Sequence, residues 1–304
     1  MITRTPSHST SWYQCGRAAA ARTVADGVCW AEPSDRGAHH VGTTSEDRGL
    51  AVSRPTMSSV REHYDGVLSP HYSRLLGDFD AKVAEQQALL ERLGVRAGRP
   101  GAMAVDLGCG SGVHSIALTR LGFRVLAVDF CRPLLAELRE RALRLPIDTV
   151  AGDVRDMETL VPPGAEAVVC MGDTLSHLER EADLPRLFAG VATRLVAGGC
   201  FVLSFRDLGA ELRDLDRFLP LHASDDVIMA CMLEYEAHTV KVHDLIWVRE
   251  QEGWTFRKGV YRKLRLTADV VAAHLTSAGF AVEGHGALGG MVALRAVLAG
   301  PPSS

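Results

Sequence analysis

The sequence lacks the features of several large protein classes. It has no apolar stretch near the roughly 18 residues that a membrane-spanning helix needs, and the run at 18–21 is too short for the apolar core of a signal peptide. It has no basic excess, because 33 Lys and Arg stand against 37 Asp and Glu, which gives no support for a nucleic-acid partner. We therefore expect a cytoplasmic protein that binds neither membranes nor nucleic acid.

Disulfide and metal patterns are absent from the sequence as well. The seven cysteines show no C-x-x-C spacing, and an odd number without a framework favours a reducing compartment. No cluster of His and Cys has the spacing of metal ligands, so we predict no metal site.

The chain divides into three segments by pattern. Residues 1–56 are rich in Ser, Thr, Arg, Gly and Ala without a hydrophobic period, which predicts disorder. Two origins of this leader stay open: a misassigned stretch before a true start at Met57, or a genuine tail. Residues 57–100 are predicted to form a helical N-terminal lid, and residues 101–304 the main domain.

Strands and helices alternate in the main domain. Short apolar runs predict strands at 102–107, 124–128, 147–151, 165–171 and 201–205, with helical stripes between them, one of them made of Leu134, Leu138, Ala142 and Leu145. Two closing strands are predicted near 280–283 and 291–298. This alternation predicts an α/β fold with a Rossmann-like, doubly wound, seven-stranded sheet. Three long β-like runs between 227 and 266 predict an antiparallel β insertion after strand 5, spanning 221–266.

The first strand ends in a glycine-rich turn, residues 106–112, from which a helix begins. Missing side chains let a ligand approach the backbone, and a helix N-terminus is electropositive. Asp129 ends the next strand, where a carboxylate can accept both hydroxyls of a ribose, and Asp153 follows the third strand within reach of an adenine amino group. An ordinary tight turn and a dinucleotide-binding enzyme are the alternatives, although the third glycine comes one residue too early for G-x-G-x-x-G.

These residues resemble the motifs of class I S-adenosylmethionine-dependent methyltransferases. Asp106, Gly108, Gly110 and Gly112 match the D-x-G-x-G-x-G motif position by position, and Asp129 and Asp153 match the acids after the second and third strands. The resemblance implies S-adenosylmethionine as cofactor, with Phe130 and Val154 around the adenine, although ordinary core packing would also explain these two. The other residues expected at the cofactor are Cys109, Met171, Tyr64 and Tyr72.

A second resemblance concerns the methyl acceptor. The segment 171–178 resembles the G-N-S-x-x-H-L segment of glycine and sarcosine N-methyltransferases, with Asp173 in place of the asparagine. Arg206 stands where that group has an arginine that binds the substrate carboxylate. A structural ion pair with Asp207 or Glu211 is the alternative. The candidate catalytic residues are His177, Arg206, Asp173 and His243.

The resemblance implies transfer of a methyl group to a small molecule by in-line displacement. The leading hypothesis is N-methylation of an amino acid or related amine, and O- or S-methylation remains open. A hydroxyl acceptor would need a base within hydrogen-bond reach, for which His177 and His243 are candidates. His177 could equally be structural, and His243 could lie on a solvated strand face. An NAD-linked oxidoreductase and a cofactor-binding protein without catalysis are the remaining alternatives.

Overall fold

The computed structural model describes residues 57–288 and 290–299, so the predicted disordered leader, 1–56, lies outside the described residues. The described chain begins with short helical turns that lead into a longer helix. They are α1 (Val60–His63), a π-helical turn (Tyr64–Leu68), α2 (Ser69–Tyr72), a 3-10 turn (Ser73–Leu76) and α3 (Phe79–Arg92). A capping box starts α1, in which the Ser59 and Glu62 side chains each bond the other's backbone N–H.

The rest of the described chain alternates strands and helices up to residue 205 and then continues mostly as strands. The strands in chain order are β1 (Met103–Leu107), β2 (Arg124–Asp129), β3 (Ile147–Ala151), β4 (Ala165–Cys170), β5 (Leu195–Phe205), β6 (Phe218–Ala223), β7 (Val227–Tyr235), β8 (Thr239–Glu250), β9 (Gly253–Leu264), β10 (Phe280–Leu288) and β11 (Met291–Leu298). The helices are α4 (Val113–Arg120), α5 (Arg132–Arg141), α6 (Met157–Leu160), α7 (Asp183–Arg194) and α8 (Ala268–Ser277). No helix among the described residues is both long and apolar enough to cross a bilayer.

A seven-stranded sheet forms the centre of the domain, in the order β10-β11-β5-β4-β1-β2-β3. Strands β1 to β5 run parallel, and β11 is antiparallel to both β5 and β10. Apolar residues of α3, α4 and α5 cover one face of the sheet, and those of α6, α7 and α8 cover the other. The predicted doubly wound Rossmann-like fold is therefore confirmed.

The strand order reverses direction between β1 and β4. From β1 the chain continues to β2 and β3 on one side, and then returns to place β4 on the other side of β1. At such a switch point the connections leave in opposite directions, which opens a crevice beyond the carboxyl ends of the strands. Gly108, directly after β1, and Met171, directly after β4, lie at this crevice.

The predicted insertion after β5 is a separate antiparallel sheet in the order β6-β7-β8-β9. The sequence prediction gave three strands and missed β6, which contains Pro220 and pairs only with β7. A proline cannot donate a hydrogen bond within a sheet, and it is tolerated at an edge. This edge position explains why β6 has weak strand signals in the sequence.

One predicted helical stripe needs correction at its end. Leu134 and Leu138 of α5 and Ala142 after it are buried as expected, but the helix ends at Arg141 and Leu145 is 37% exposed. Leu135 is buried as well, in the hydrophobic cluster on the side of the sheet that α3, α4 and α5 cover. The prediction therefore extended this helix about one turn beyond its end at Arg141.

Candidate active site

A cavity of about 840 Å³ lies at the carboxyl ends of the parallel strands, beneath α1 and α2 and beside β9. It brings most of the predicted site residues together. The predicted residues that line it are Tyr64, Tyr72, Gly108, Cys109, Gly110, Asp129, Phe130, Asp153, Val154, Met171, Asp173 and His177. Asp106, Gly112, Arg206 and His243 are not among the described residues that line it.

The three glycines of the turn share a backbone conformation, and two of them leave space for different neighbours. All three have positive φ, at 71° for Gly108, 53° for Gly110 and 96° for Gly112, which favours glycine. A Cβ at Gly112 would lie 2.1 Å from Leu138 Cδ1, so this glycine allows α5 to approach the turn. A Cβ at Gly110 would lie 3.4 Å from the Tyr72 ring, at the cavity wall. Gly110 is therefore the glycine whose missing side chain most directly leaves space for a ligand.

Asp129 connects the end of β2 to the glycine turn. Its Oδ2 accepts a hydrogen bond from the Gly110 N–H at 2.8 Å, and its Oδ1 accepts one from the Cys131 N–H at 2.8 Å. Burial raises the pKa of Asp129, and these two backbone bonds oppose that shift. Each oxygen keeps a further lone pair. A cavity-lining carboxylate held in this way fits two ribose hydroxyls, as the sequence predicts.

Asp106 lies behind the turn rather than in the cavity. Its Oδ2 accepts a hydrogen bond from Ser115 Oγ at 2.6 Å, and its Oδ1 is buried without a partner among the described residues. Burial raises the pKa of Asp106 to about 7, against which the Ser115 hydrogen bond acts. An unsatisfied buried carboxylate oxygen is costly. Asp106 therefore supports the turn from behind through its hydrogen bond with Ser115. Its Oδ1 is left to accept a hydrogen bond from a cationic group.

The raised pKa of Asp106 predicts a pH-dependent stability. The folded state holds the proton of Asp106 between pH ~4 and ~7 and the unfolded state does not, so this contribution is full below pH ~4 and is lost as pH rises through 7. Asp106→Asn cannot titrate. From pH 5 to pH 7, we expect the wild-type free energy of unfolding to fall by about 2 kcal/mol relative to the variant.

Urea unfolding of both apoproteins at pH 5, 6 and 7 measures this difference. Asp148→Asn is the control, because Asp148 lies on the surface at the start of β3. A constant difference between wild type and Asp106→Asn across this range would contradict the assignment.

The second and third strand ends form an aromatic and charged wall. The Arg61 guanidinium lies over the Phe130 ring at 4.8 Å and donates to the Phe130 carbonyl at 3.2 Å. Both Asp153 oxygens accept hydrogen bonds from the Arg155 side chain, at 3.0 and 2.8 Å, so this carboxylate is already oriented. Val154 lines the cavity and also belongs to the hydrophobic core. Val154 therefore packs in the core as one of the two explanations holds, and its contact with the adenine stays a prediction.

On the β4 side of the cavity, two cations surround one carboxylate. Asp173 Oδ2 lies 2.7 Å from Lys263 Nζ and 3.7 Å from Arg206 Nε, and Asp173 Oδ1 accepts from the Arg206 backbone N–H at 3.1 Å. Burial alone would raise the pKa of Asp173, but the Lys263 and Arg206 cations outweigh it and hold the pKa well below its usual range. The Asp173 side chain, 8% exposed, is therefore an anion at neutral pH.

His177 stands between two tyrosines near this carboxylate. Its ring is 5.5 Å from that of Tyr64, edge to face, and 5.8 Å from that of Tyr261. Burial, together with the Lys263 cation, lowers the pKa of His177 to about 3. Its Nε2 is buried and has no hydrogen-bond partner among the described residues. His177 is therefore a neutral imidazole with unused hydrogen-bonding capacity at the cavity.

Two predicted catalytic residues lie elsewhere. His243 Nε2 is 3.1 Å from Glu234 Oε2 on the outer face of the four-stranded sheet, because alternation along β8 turns Asp244 inward instead. Arg206 forms an ion pair with Asp173, a partner that the sequence analysis did not name. Glu211, one of the two partners named there, pairs with Arg265. Among the described residues, neither His243 nor Arg206 faces the cavity.

Sequence reasoning missed several side chains of this site. Lys263 and Arg61 line the cavity, and the buried pair His63–Asp244 lies directly behind it. These residues are remote in sequence from the motifs they contact, so no local spacing reveals them. One usable signal was Gly259 inside β9, because a glycine within a strand often marks a close approach of another group.

Comparison with known proteins places this geometry in context. The profile of a family described as "Methyltransferase domain" matches residues 104–199. A cypemycin N-terminal methyltransferase from Streptomyces sp. is 35% identical over 107 residues, which cover 35% of this chain and 43% of the relative. A glycine/sarcosine N-methyltransferase from Aphanothece halophytica is 31% identical over 105 residues, which cover 34% and 40%. Relatives of similar identity include O-methyltransferases. The chain thus matches less than half the length of these relatives.

A solved structure extends the similarity to the whole fold. S-adenosylmethionine-bound CalS10, an amino pentose methyltransferase from Micromonospora echinaspora, aligns with a TM-score of 0.62 at 19% identity. The alignment covers 76% of this chain and 95% of CalS10. At that identity the likeness concerns the fold, and it includes regions outside the segment matched by the family profile.

Proposed function

We propose that this chain is a class I S-adenosylmethionine-dependent methyltransferase and that it methylates a small-molecule amine. The family profile over residues 104–199 and the similarity of the fold to that of a solved methyltransferase support this proposal. The observation that carries the proposal is the single cavity that joins the cofactor motifs to the chamber around His177 and Asp173. A methyl donor at the glycine turn and an acceptor near His177 would meet inside that cavity. A dinucleotide-binding enzyme is the alternative. The glycines of the turn do not have the spacing of that class, and the family profile that matches is that of a methyltransferase domain.

S-adenosylmethionine is the cofactor of this domain, and it supplies a methyl group already activated on a sulfonium. The residues present fit it. Asp129 offers two oriented carboxylate oxygens, Gly110 leaves the turn open, and Phe130 lines the cavity next to Asp129. Since the donor is activated, the protein's contribution is to hold the two reactants in line and to exclude water.

The state of His177 favours an amine over a hydroxyl acceptor. An imidazole with a pKa of about 3 is a weak base, so it cannot readily deprotonate a hydroxyl near neutral pH. A neutral imidazole with a free Nε2 can accept a hydrogen bond from an amine N–H and orient its lone pair. Asp173 is ionised, but Lys263 and Arg206 neutralise its charge, so this carboxylate alone does not select a cationic acceptor.

A product assay tests this proposal. The full-length chain is incubated with S-adenosylmethionine and panels of matched amines, alcohols and thiols, including amino acids, and S-adenosylhomocysteine is measured. We expect turnover with a subset of amines and, by mass spectrometry, a methyl group on nitrogen. Asp129→Ala, assayed at a limiting concentration of S-adenosylmethionine, serves as the control with reduced cofactor binding. Turnover confined to alcohols or thiols would replace the N-methylation proposal with an O- or S-methylation one.

The role of Arg206 separates the amino-acid hypothesis from a wider amine class. If Arg206 bound a substrate carboxylate through two parallel hydrogen bonds, Arg206→Lys would raise the acceptor KM, because a point charge does not replace the planar fork. Its place beside Asp173 supports the ion-pair role instead, which a lysine largely preserves. We therefore expect acceptor KM, cofactor Kd and Tm of Arg206→Lys to stay near wild type.

Lys263→Met is the companion variant, since Lys263 lines the cavity and pairs with the same carboxylate. If the acceptor is acidic, Lys263→Met should raise its KM several-fold more than Arg206→Lys does. A large KM increase in Arg206→Lys alone would restore the original assignment of that arginine to a substrate carboxylate.

A further inference from the structure

A buried histidine–aspartate pair links helix α1 to the four-stranded sheet behind the cavity. His63, the last residue of α1, places Nε2 2.7 Å from Oδ2 of Asp244 on β8. The two side chains are 0% and 5% exposed. A carboxylate that is so deeply buried needs a partner, and the imidazole Nε2 is the partner that the described residues provide. The proposed catalytic chemistry uses neither residue.

Gly259 makes room for this pair. It lies on β9 directly opposite Asp244 in the antiparallel register, and a Cβ at this position would come within 2.6 Å of His63 Nδ1. The glycine is therefore required for space rather than for a special backbone conformation. The His63 ring enters the resulting gap and stacks on Tyr261, two residues further along β9, with ring centroids 4.4 Å apart.

The same short helix reaches the cofactor side of the cavity. Arg61, two residues before His63, lies over the Phe130 ring and donates to the Phe130 carbonyl. Ser58, at the start of the segment, bonds the Val260 carbonyl through both its backbone N–H and its Oγ, at 3.2 and 3.0 Å. The segment 58–63 is thus fixed to β9 at both ends while its middle covers Phe130.

We propose that His63, Asp244 and Gly259 form a latch that positions Arg61 over the cofactor pocket. A helix of four residues has little stability of its own, so its place depends on tertiary contacts. With the latch closed, Arg61 is held against Phe130 before the cofactor binds, and less ordering remains to be done on binding. His63 is in this sense a positioning residue that acts through Arg61, and the inference rests on the proposed cofactor.

Three variants open the latch in different ways. Gly259→Ala displaces His63 without changing either partner, whereas His63→Phe keeps an aromatic ring on Tyr261 and removes the bond to Asp244. His63→Gln retains a side-chain N–H that can reach Asp244. His274→Gln is the matched control. His274, on α8, also pairs with a carboxylate, that of Glu181, but this pair is partly exposed and does not line the cavity. Thermal unfolding first establishes that each variant is folded at the assay temperature.

The test is a calorimetric titration with S-adenosylhomocysteine. We expect Kd to rise roughly tenfold, equivalent to about 1.4 kcal/mol, in Gly259→Ala and His63→Phe, with partial recovery in His63→Gln and no change in His274→Gln. A double-mutant cycle with Arg61→Ala then identifies the path. If His63 acts through Arg61, His63→Phe should have little further effect in the Arg61→Ala background.

Each outcome decides between clear alternatives. Unchanged Kd values in folded Gly259→Ala and His63→Phe would overturn the latch while leaving the proposed function intact. Additive effects of His63→Phe and Arg61→Ala would overturn its action through Arg61. Should Gly259→Ala fail to fold, His63→Phe and the cycle still decide. A wild-type protein that does not bind S-adenosylhomocysteine would instead reject the proposed function, on which the latch depends.

Discussion

Asp129→Ala should abolish most of the protein's affinity for S-adenosylmethionine, with Kd rising roughly 10- to 100-fold. The wild-type carboxylate lines the cavity, where it can bond two ribose hydroxyls with charge-assisted hydrogen bonds. It also accepts the Gly110 and Cys131 N–H groups, so alanine leaves both donors without their acceptor and loosens the glycine turn. The loss should therefore exceed that of a side chain that only touches the ligand.

Calorimetric titration of the folded variant with S-adenosylmethionine measures this effect. Asp148→Ala on β3 is the matched control. The exposed Asp148 carboxylate pairs with Arg124, at the start of β2 and so at the opposite end of that strand from Asp129. We expect the control to bind as wild type does. Wild-type affinity in Asp129→Ala would show that the cavity holds a different ligand or holds it in a different place.

Much of the cofactor side could be predicted from sequence because its determinants are local. Asp106, the three glycines and Asp129 lie at strand ends, and the carboxyl ends of adjacent parallel strands meet at one edge of a sheet. Once the alternation of strands and helices is recognised, these residues converge. The sequence could not show that Asp106 and Gly112 support the turn from behind, since that depends on the packing of Ser115 and Leu138.

The β4 and β9 side of the cavity was harder to predict because its contacts are long-range. Lys263 meets Asp173 across 90 residues, and His63 meets Asp244 across 181. Charged residues on a strand give the same sequence signal whether they face solvent or a partner. A strand's alternation limits one of each adjacent pair to the covered face, but it does not say which one. This ambiguity is why His243 was selected when its neighbour Asp244 faces inward.

Asp173→Ala should have the largest effect on stability among the cavity variants. It leaves Lys263 and Arg206, whose side chains are 12% and 29% exposed, without the carboxylate that they share. Removing one partner of a buried ionic group costs about 3–5 kcal/mol, because the remaining charge stays poorly solvated. Catalysis should fall as well, since His177 lies beside the same group and its environment would change.

The pH dependence of this contribution has the opposite sign to that of Asp106. The pKa of Asp173 is lowered in the folded state, so its stabilisation is fully present above the unfolded pKa of about 4 and is lost only as pH falls below that value. From pH 5 to pH 8, the difference between wild type and Asp173→Ala should therefore be constant. A difference that changes over this range would indicate that another titrating group is coupled to the site.

A double variant separates two contributions to the lost stability: the attraction between Asp173 and its cations, and the cost of leaving a buried cation without its carboxylate. Asp173→Ala with Lys263→Met removes the carboxylate and its closest cation together, so it should recover part of the stability lost in Asp173→Ala. Asp148→Ala, which breaks an exposed pair, should cost much less than Asp173→Ala. Urea unfolding of the four proteins at pH 7 provides the comparison. If Asp173→Ala lowers the free energy of unfolding no more than Asp148→Ala does, Asp173 does not stabilise the two cations. A role of its carboxylate would then lie in binding the acceptor.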